Sequence, residues 1–290
     1  MNASNDMIYV MDNTLEFIDE GILSTDGVLN TSDLFDRVGK FNTIGFSTFK
    51  NTALKKLVLS EEIDSVLSSA FEGCTSLESV KIKNPNLKLS PKCFSGCSKL
   101  KEINLPNGSI IPKMAFMNCC SLEHITIPQN VEFIQESAFE GCSNLKTIDF
   151  KSNKIVFGNA AFKDCRILDH IHIPNGTILL SSRSFENCIN LKKVVFPENL
   201  ISIGNNAFAR CISLNSVVLP DKLEYIGNCA FEGCTSLTTF NIPKRLNMIG
   251  GCVFANCSSL SKDDITNAYS EIHRICKTDN IGYCLFENCG

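Results

Sequence analysis

The 290-residue chain contains no tryptophan, only four histidines and no surplus of positive charge. Lys plus Arg is 27 against 31 for Asp plus Glu, a formal net charge of −4. That balance argues against nucleic-acid binding and polybasic membrane attachment, both of which need a basic surface. No apolar run reaches the roughly 18 residues that a transmembrane helix requires. The stretch from Met1 to Thr14 carries Asn5-Asp6 and Asp12-Asn13 and lacks an unbroken apolar segment behind basic residues, so it does not read as a signal peptide. Nucleotide-binding glycine motifs, a nucleophile elbow and paired catalytic carboxylates are missing too. Gly204, Gly227 and Gly250 recur at equal spacing and read as turn glycines, with no phosphate loop among them. What is abundant is cysteine, 16 residues, and phenylalanine, 20 residues. Sixteen cysteines in a short secreted chain would mean a disulfide scaffold, but a chain this long can build a core without staples. Their arrangement decides.

The arrangement is periodic. Phenylalanines stand at 49, 71, 94, 116, 139, 162, 185, 208, 231 and 254, with gaps of 22 or 23 residues. From Phe71 onward each is followed three residues later by cysteine (Cys74, Cys97, Cys119 and so on to Cys257), and three later again by leucine (Leu77, Leu100, Leu122 to Leu260). A repeat of about 23 residues at fixed offsets is the mark of a solenoid. Numbered from its leucine, each unit has apolar residues at positions 1, 4 and 6, as in Leu145, Ile148 and Phe150. The single outward residue between positions 4 and 6 is the period-2 signature of a short strand. Proline follows at position 7 in six units, among them Pro128, Pro174, Pro197 and Pro220, and ends the strand because it cannot donate to a ladder. A second apolar pair near positions 10 and 13, such as Leu200 and Ile203, makes a return segment before the next Ala-Phe. One unit cannot bury these side chains alone, whereas stacked units place every apolar position over its copy.

The run A-F-x-x-C-x-x-L-x-x-I-x-I-P-x-x-L-x-x-I-G, followed almost position for position from Ala207 to Gly227 and from Ala230 to Gly250, resembles the BspA-like class of leucine-rich repeats. The resemblance covers about residues 44–260. It implies a right-handed leucine-rich-repeat superhelix with a parallel β-sheet on the concave face and loops or 3₁₀ turns on the convex face. It also implies a non-enzymatic protein-binding role as a cell-surface or secreted adhesin or surface antigen, binding host or matrix proteins without a cofactor. An intracellular leucine-rich-repeat scaffold is the alternative, favoured by the absence of a visible signal and by unpaired thiols. The early units depart from the pattern at Pro85 and Pro112.

Stacked strands lie about 4.8 Å apart with parallel Cβ vectors, whereas a disulfide needs converging Cβ atoms at about 3.8 Å. The cysteine column therefore reads as buried free thiols acting as small hydrophobes with a weak donor. A linear column also offers a zinc ion two neighbours where four converging ligands are needed. Cys229, Cys252 and Cys284, each two residues before a repeat phenylalanine, form a second and shorter column. Cys289 restores the first column, and Cys120, next to a ladder cysteine, is the candidate for an outward, reactive thiol.

Residues 1–43 do not fit the repeat and read as an N-terminal cap, 44–260 as the repeats, and 261–290 as a helical insertion with a partial terminal repeat. Met7–Val10 and Leu15–Ile18 around Asp12-Asn13 predict a hairpin, and Ser32-Asp33 before Leu34-Phe35 predicts a short capped helix. Beyond Ser261, Ile265, Ala268 and Ile272 recur at helical spacing. The strand edge exposed at this C-terminal end would be a site of edge-mediated association.

In such a solenoid, positions 3 and 5 of each strand face outward on the binding side. They collect three of the four histidines, His124, His170 and His172, with Asp149 one coil from His172 and Asp169 beside His170. Val195 and Val218 add a small apolar patch beside Lys193. His124, Asp149, His170, His172, Lys193, Val195 and Val218 are the ligand-contact candidates. A histidine–carboxylate metal or acid–base site and a solvated surface patch both fit the pattern.

Overall fold

The computed structural model describes residues 8–18 and 26–290. It is a parallel-strand β-solenoid of about nine turns, the leucine-rich-repeat architecture that the periodicity predicts. Each coil contributes to two ladders. The broad ladder runs from Val28–Asn30 through strands such as Lys56–Leu59, His124–Ile127, Thr147–Phe150, His170–His172 and Lys193–Val195 to Thr239–Phe240. Its strands pair in register one repeat apart, Ile125 with Ile148 and Ile171 with Val194. The alternation is clean: Ile125 and Ile127 are buried while His124 and Thr126 are exposed.

The return segment, expected as loop or 3₁₀ turn, is a second ladder of two-residue strands. It runs from Thr43–Ile44 through Phe133–Ile134 and Ser202–Ile203 to Met248–Ile249. The apolar residue near position 13 explains it. Buried as Ile134, Ile203, Ile226 or Ile249, and half-buried as Leu89, it holds the segments in register. Once registered, the main chains bond coil to coil, as in Gly227 N–H to the Ile203 carbonyl at 2.8 Å and Gly250 N–H to Ile226 at 2.7 Å. Side-chain register thus converts a turn into a ladder. The recurring glycine that follows is needed for close approach. A Cβ on Gly227 would lie 2.6 Å from the Asn205 backbone nitrogen and 2.7 Å from the Gly204 carbonyl carbon of the coil before.

The third side is a tight turn carrying the phenylalanine column. Eleven rings from Phe49 to Phe286 stack with centroids 5.0–5.8 Å apart and planes within 3–12°. Each ring is flanked two residues before and two after by left-handed backbone, as at Ser137 (φ 55°) and Gly141 (φ 76°) around Phe139. Glycine, asparagine or aspartate fills the second of these positions in every coil but that of Arg210, as their tolerance of that conformation demands.

The cysteine column has a defined chemical job. All 16 cysteines are free, and the ladder thiols from Cys74 to Cys257 are buried. Each of these, and Cys289 after them, donates its S–H to the carbonyl of the phenylalanine one coil earlier, at 2.9–3.5 Å. That carbonyl also accepts the N–H of its own coil's cysteine, as when Phe116 receives Cys119 N–H at 3.1 Å. The thiol fills its second lone pair. A residue small enough for the turn, apolar enough for the core and able to donate one hydrogen bond is what the site selects.

The two ladders are hydrogen-bonded in blocks rather than continuously. The broad ladder divides after Glu102–Ile103, after Thr147–Phe150 and after Lys193–Val195. At Asn104 and Asn241 a side-chain amide takes over from the main chain. Asn104 accepts from Ile82 N–H at 2.8 Å and donates to Ile82 carbonyl at 2.7 Å, and Asn241 does the same to Leu219 at 2.7 and 2.9 Å.

At the N-terminal end Ile8–Met11 and Thr14–Ile18 form the expected antiparallel hairpin, turning on Asp12 and Asn13 at positive φ; Met7 lies outside the described residues. The second strand starts the narrow ladder, pairing Leu15 with Ile44. Helix α1, Ser32–Val38, is present, but Ser32 does not cap it. Thr31 takes the cap position without a side-chain cap bond, because its hydroxyl is buried and donates to Ser60 Oγ at 3.0 Å. At the other end α2 (Lys262–Ile275) replaces the strand that should follow Leu260. Ser261 Oγ accepts from Asp264 N–H at 3.1 Å and caps it. Its buried Ala268 and Ile272 face the core, and Tyr269 meets Phe286 edge-on at 5.0 Å. The chain then rejoins the stack through Ile281, bridged to Ile249. No described strand pairs with the outer edge of Thr239–Phe240. Among the described residues, no helix is long and apolar enough to cross a membrane.

Candidate ligand-binding face

Outward residues of the broad ladder stand in columns because the strands are parallel and in register. Position 3 places His124 beside Thr147, and His124 Nδ1 lies 2.6 Å from Thr147 Oγ1. His170 is paired with Lys193 across the ladder, and its Nδ1 contacts the Asp169 carboxylate. Position 5 sets His172 opposite Val195. The two histidines of one strand therefore have separate surroundings.

Asp149 and His172 come together. Both line a shallow depression of about 350 Å³ with Phe150, Lys151, Asn153 and Asn175. The Asp149 carboxylate is already paired with Lys151 at 2.7 Å, which neutralises most of what it could offer to His172. Val218 is 76% exposed, whereas Val195 is half-buried rather than fully open. His124 belongs to a different feature.

That feature is a groove of about 1020 Å³ across the earlier coils, lined by Lys81, Lys101, Glu102, Asn104, His124, Thr126 and Lys151 among others. It sits where the phenylalanine spacing shortens to 22 residues between Phe94 and Phe116 and where both ladders break their hydrogen bonding. The equally short spacing from Phe49 to Phe71 leaves both ladders paired, so a shorter coil does not by itself open the surface. Sequence reasoning noted the irregular units around Pro85 and Pro112 but, His124 apart, placed the contact candidates later in the chain. Charge on this face is arranged in ion pairs between successive coils, such as Lys146 with Glu123 at 2.6 Å, and the Lys146 ammonium holds the Glu123 carboxyl below its usual value.

A second surface was not anticipated. The first residue of each narrow strand points outward, and in four successive coils it is Ile110, Phe133, Val156 and Leu179. Ile110, Phe133 and Leu179 are 47%, 42% and 39% exposed. Position 12 alternates with the buried position 13, so the stripe follows from the same period-2 logic once a strand is recognised there. Cys120, expected to point outward, is half-buried with its thiol against the Asn118 and Gly141 carbonyls, at 3.4 and 3.6 Å.

The family description "BspA type Leucine rich repeat region" matches in six copies over residues 42–169 and 155–290. The chain belongs to the BspA-type leucine-rich-repeat family. The match runs through α2 to the final residue, beyond the segment where the motif is plain by eye. Among solved structures, this BspA-type chain is similar to a leucine rich cell surface protein from Faecalibacterium prausnitzii, at 21% identity over 96% of this chain and 94% of that one, with a TM-score of 0.44. It is also similar to the Treponema pallidum leucine-rich-repeat protein TpLRR, at 24% identity over 77% of this chain and 85% of that one, with a TM-score of 0.45. The pneumococcal vaccine antigen PcpA is 15% identical over 85% of this chain and 72% of its own, with a TM-score of 0.46. No curated protein matches the chain.

Proposed function

We propose that this BspA-type chain is a non-enzymatic protein-binding module whose broad-ladder face carries the ligand. The observation that carries the reading is the register of that face. Ten strands hold outward polar and apolar side chains at fixed spacing on a rigid, ring-stacked core, next to an open groove. A flat or curved ladder of this kind fits the extended surface of another protein. Its contacts are His124, Asp149, His170, His172, Lys193, Val195 and Val218, joined by the groove residues Lys81, Lys101 and Lys151. Residues 1–43 and 261–290 act as caps on the repeats, and the edge of Thr239–Phe240 is a secondary association surface. The ligand is a cell-surface or matrix protein, in keeping with a cell surface protein among the similar structures. An intracellular scaffold is the second reading, favoured by 16 free thiols, which persist most readily in a reducing compartment.

Two measurements test this. Localisation of the native protein separates the readings: strictly cytosolic recovery sinks the adhesin. Binding of purified wild type to a panel of matrix proteins and intact cells, set beside Val218→Glu and Lys193→Glu, tests the face. Loss of about tenfold or more in affinity is expected from these two variants, the scale of an interface hot spot, with Phe133→Glu on the narrow ladder unaffected. An effect confined to Phe133→Glu would place the ligand on the other side.

A further inference from the structure

The second cysteine column lies outside the broad-ladder face and outside the thiol–carbonyl column of the core. Cys229, Cys252 and Cys284 occupy the same left-handed turn position in the last three coils, with φ of 55°, 56° and 54°. In earlier coils that position is Ser69, Lys92, Met114, Ala160 or Asn206, so the turn itself does not require a thiol. Cys229 and Cys252 are half-buried and Cys284 is exposed. The ligand atoms of Cys252, Cys284 and Glu287 all lie within 4.8 Å of one another.

A straight column of stacked thiols offers a cation two ligands, and here Glu287 supplies the third. It is three residues beyond Cys284, so it rises from the same turn and approaches from beside the column. At the equivalent place one coil earlier stands Ala255, which leaves room there. Zinc–thiolate bonds of about 2.3 Å and zinc–carboxylate bonds of about 2.1 Å at tetrahedral angles set ligand atoms roughly 3.5–3.8 Å apart. Side-chain rotation of about 1 Å at this open surface closes the difference.

We propose that Cys252, Cys284 and Glu287 form a binding site for one thiophilic divalent cation of the zinc class, with water in the fourth position. Binding displaces the two thiol protons to solvent and leaves two thiolates and a carboxylate on the metal. The site bridges two coils at the point where the chain rejoins the stack after α2. After α2 the last coil rejoins through the isolated Ile249–Ile281 bridge and main-chain bonds such as Cys252 N–H to Tyr283 carbonyl and Phe254 N–H to Leu285 carbonyl, both 2.8 Å. A metal there cross-links residues 281–290 to the coil beneath.

The test uses the full chain, reduced and anaerobic, titrated with Zn²⁺ and with Co²⁺ as the spectroscopic probe. The expected result is one equivalent bound per chain by native mass spectrometry, with a thiolate-to-cobalt charge-transfer band. The band is lost in Cys284→Ser, Kd rises about tenfold or more in Glu287→Gln, and Cys120→Ser behaves as wild type. Hydrogen exchange over residues 281–290 slows on adding Zn²⁺. Cys284 is exposed, so its serine variant keeps the fold, which an unchanged circular dichroism spectrum checks. Metal still bound in the Cys252→Ser/Cys284→Ser double variant overturns the site, and so does an air-formed Cys252–Cys284 disulfide whose reduced form takes up no metal.

Discussion

Raising the pH above the ordinary thiol range should unfold this protein far more steeply than one with few cysteines. The thiols of Cys93, Cys97, Cys119, Cys142, Cys165, Cys188, Cys211 and Cys234 are fully buried. Burial pushes Cys93 up to about 12 and is the main cause of the rise at Cys119, Cys142, Cys165, Cys188, Cys211 and Cys234. Cys97 is raised first by its bond to Cys74 and then by burial, and the same bond lowers Cys74, so this pair is left out of the sum. In the unfolded chain the same groups ionise near about 8.5. The sign follows directly. Below that value both states hold their protons and stability is intact; above it the unfolded state loses protons that the folded state keeps, and stability falls as pH rises. One unit above, each thiol raised mainly by burial costs the fold about 1.4 kcal/mol, so the seven together cost about 10 kcal/mol, the size of a domain's whole stability of roughly 5–15 kcal/mol. Urea midpoints followed by circular dichroism at intervals from about pH 7 to 9.5 read this out. The midpoint should hold to about pH 8 and collapse by about 9.5, with the thiolate absorbance of the buried column appearing only on unfolding. A midpoint that stays flat across that range refutes the picture of a buried, protonated column.

Two single-site predictions follow from the packing. Cys142→Ala removes a buried sulfur and its 3.2 Å bond to the Phe116 carbonyl, and should cost about 2 kcal/mol, with Cys142→Ser costing about half as much because it restores the donor; the ranking in urea denaturation is the check. Gly227→Ala sets a Cβ 2.6 Å from the Asn205 nitrogen, and should cost about 1–3 kcal/mol, whereas Gly108→Ala, with open space around it, should be nearly silent.

The period of the repeat made the column positions, the inward and outward alternation and the proline-terminated strands legible before any coordinates. Coil stacking follows from identity of position: if Phe139 is buried, so is Phe162, and the leucine and cysteine columns follow. Three things were not legible, each for a physical reason. The narrow ladder is built from two-residue strands such as Phe133–Ile134, too short to show a period of their own within one unit. The short pairing of Glu102–Ile103 with the strand before it depends on the Asn104 side-chain amide capturing the main chain of Ile82, a tertiary choice that composition does not display. The groove lies at one of the two places where the phenylalanine spacing is 22, and that spacing does not say which of them opens. For the binding face, the columns were predictable and the pairings were not. Asp149 reaches the same depression as His172, yet its partner is Lys151, and His170 turns to its sequence neighbour Asp169.

Thiol labelling of the native and unfolded protein, read residue by residue by mass spectrometry, tests the central claim that the repeat is a stack held on a column of buried, unpaired cysteines. The fastest modification is predicted at the exposed Cys284, with slower modification at the half-buried Cys120, Cys229, Cys252 and Cys289. The buried thiols from Cys74 to Cys257 should stay unmodified until denaturant is added, after which all 16 react. Labelling of ladder cysteines in the native protein, or a denatured count well short of 16, would contradict it.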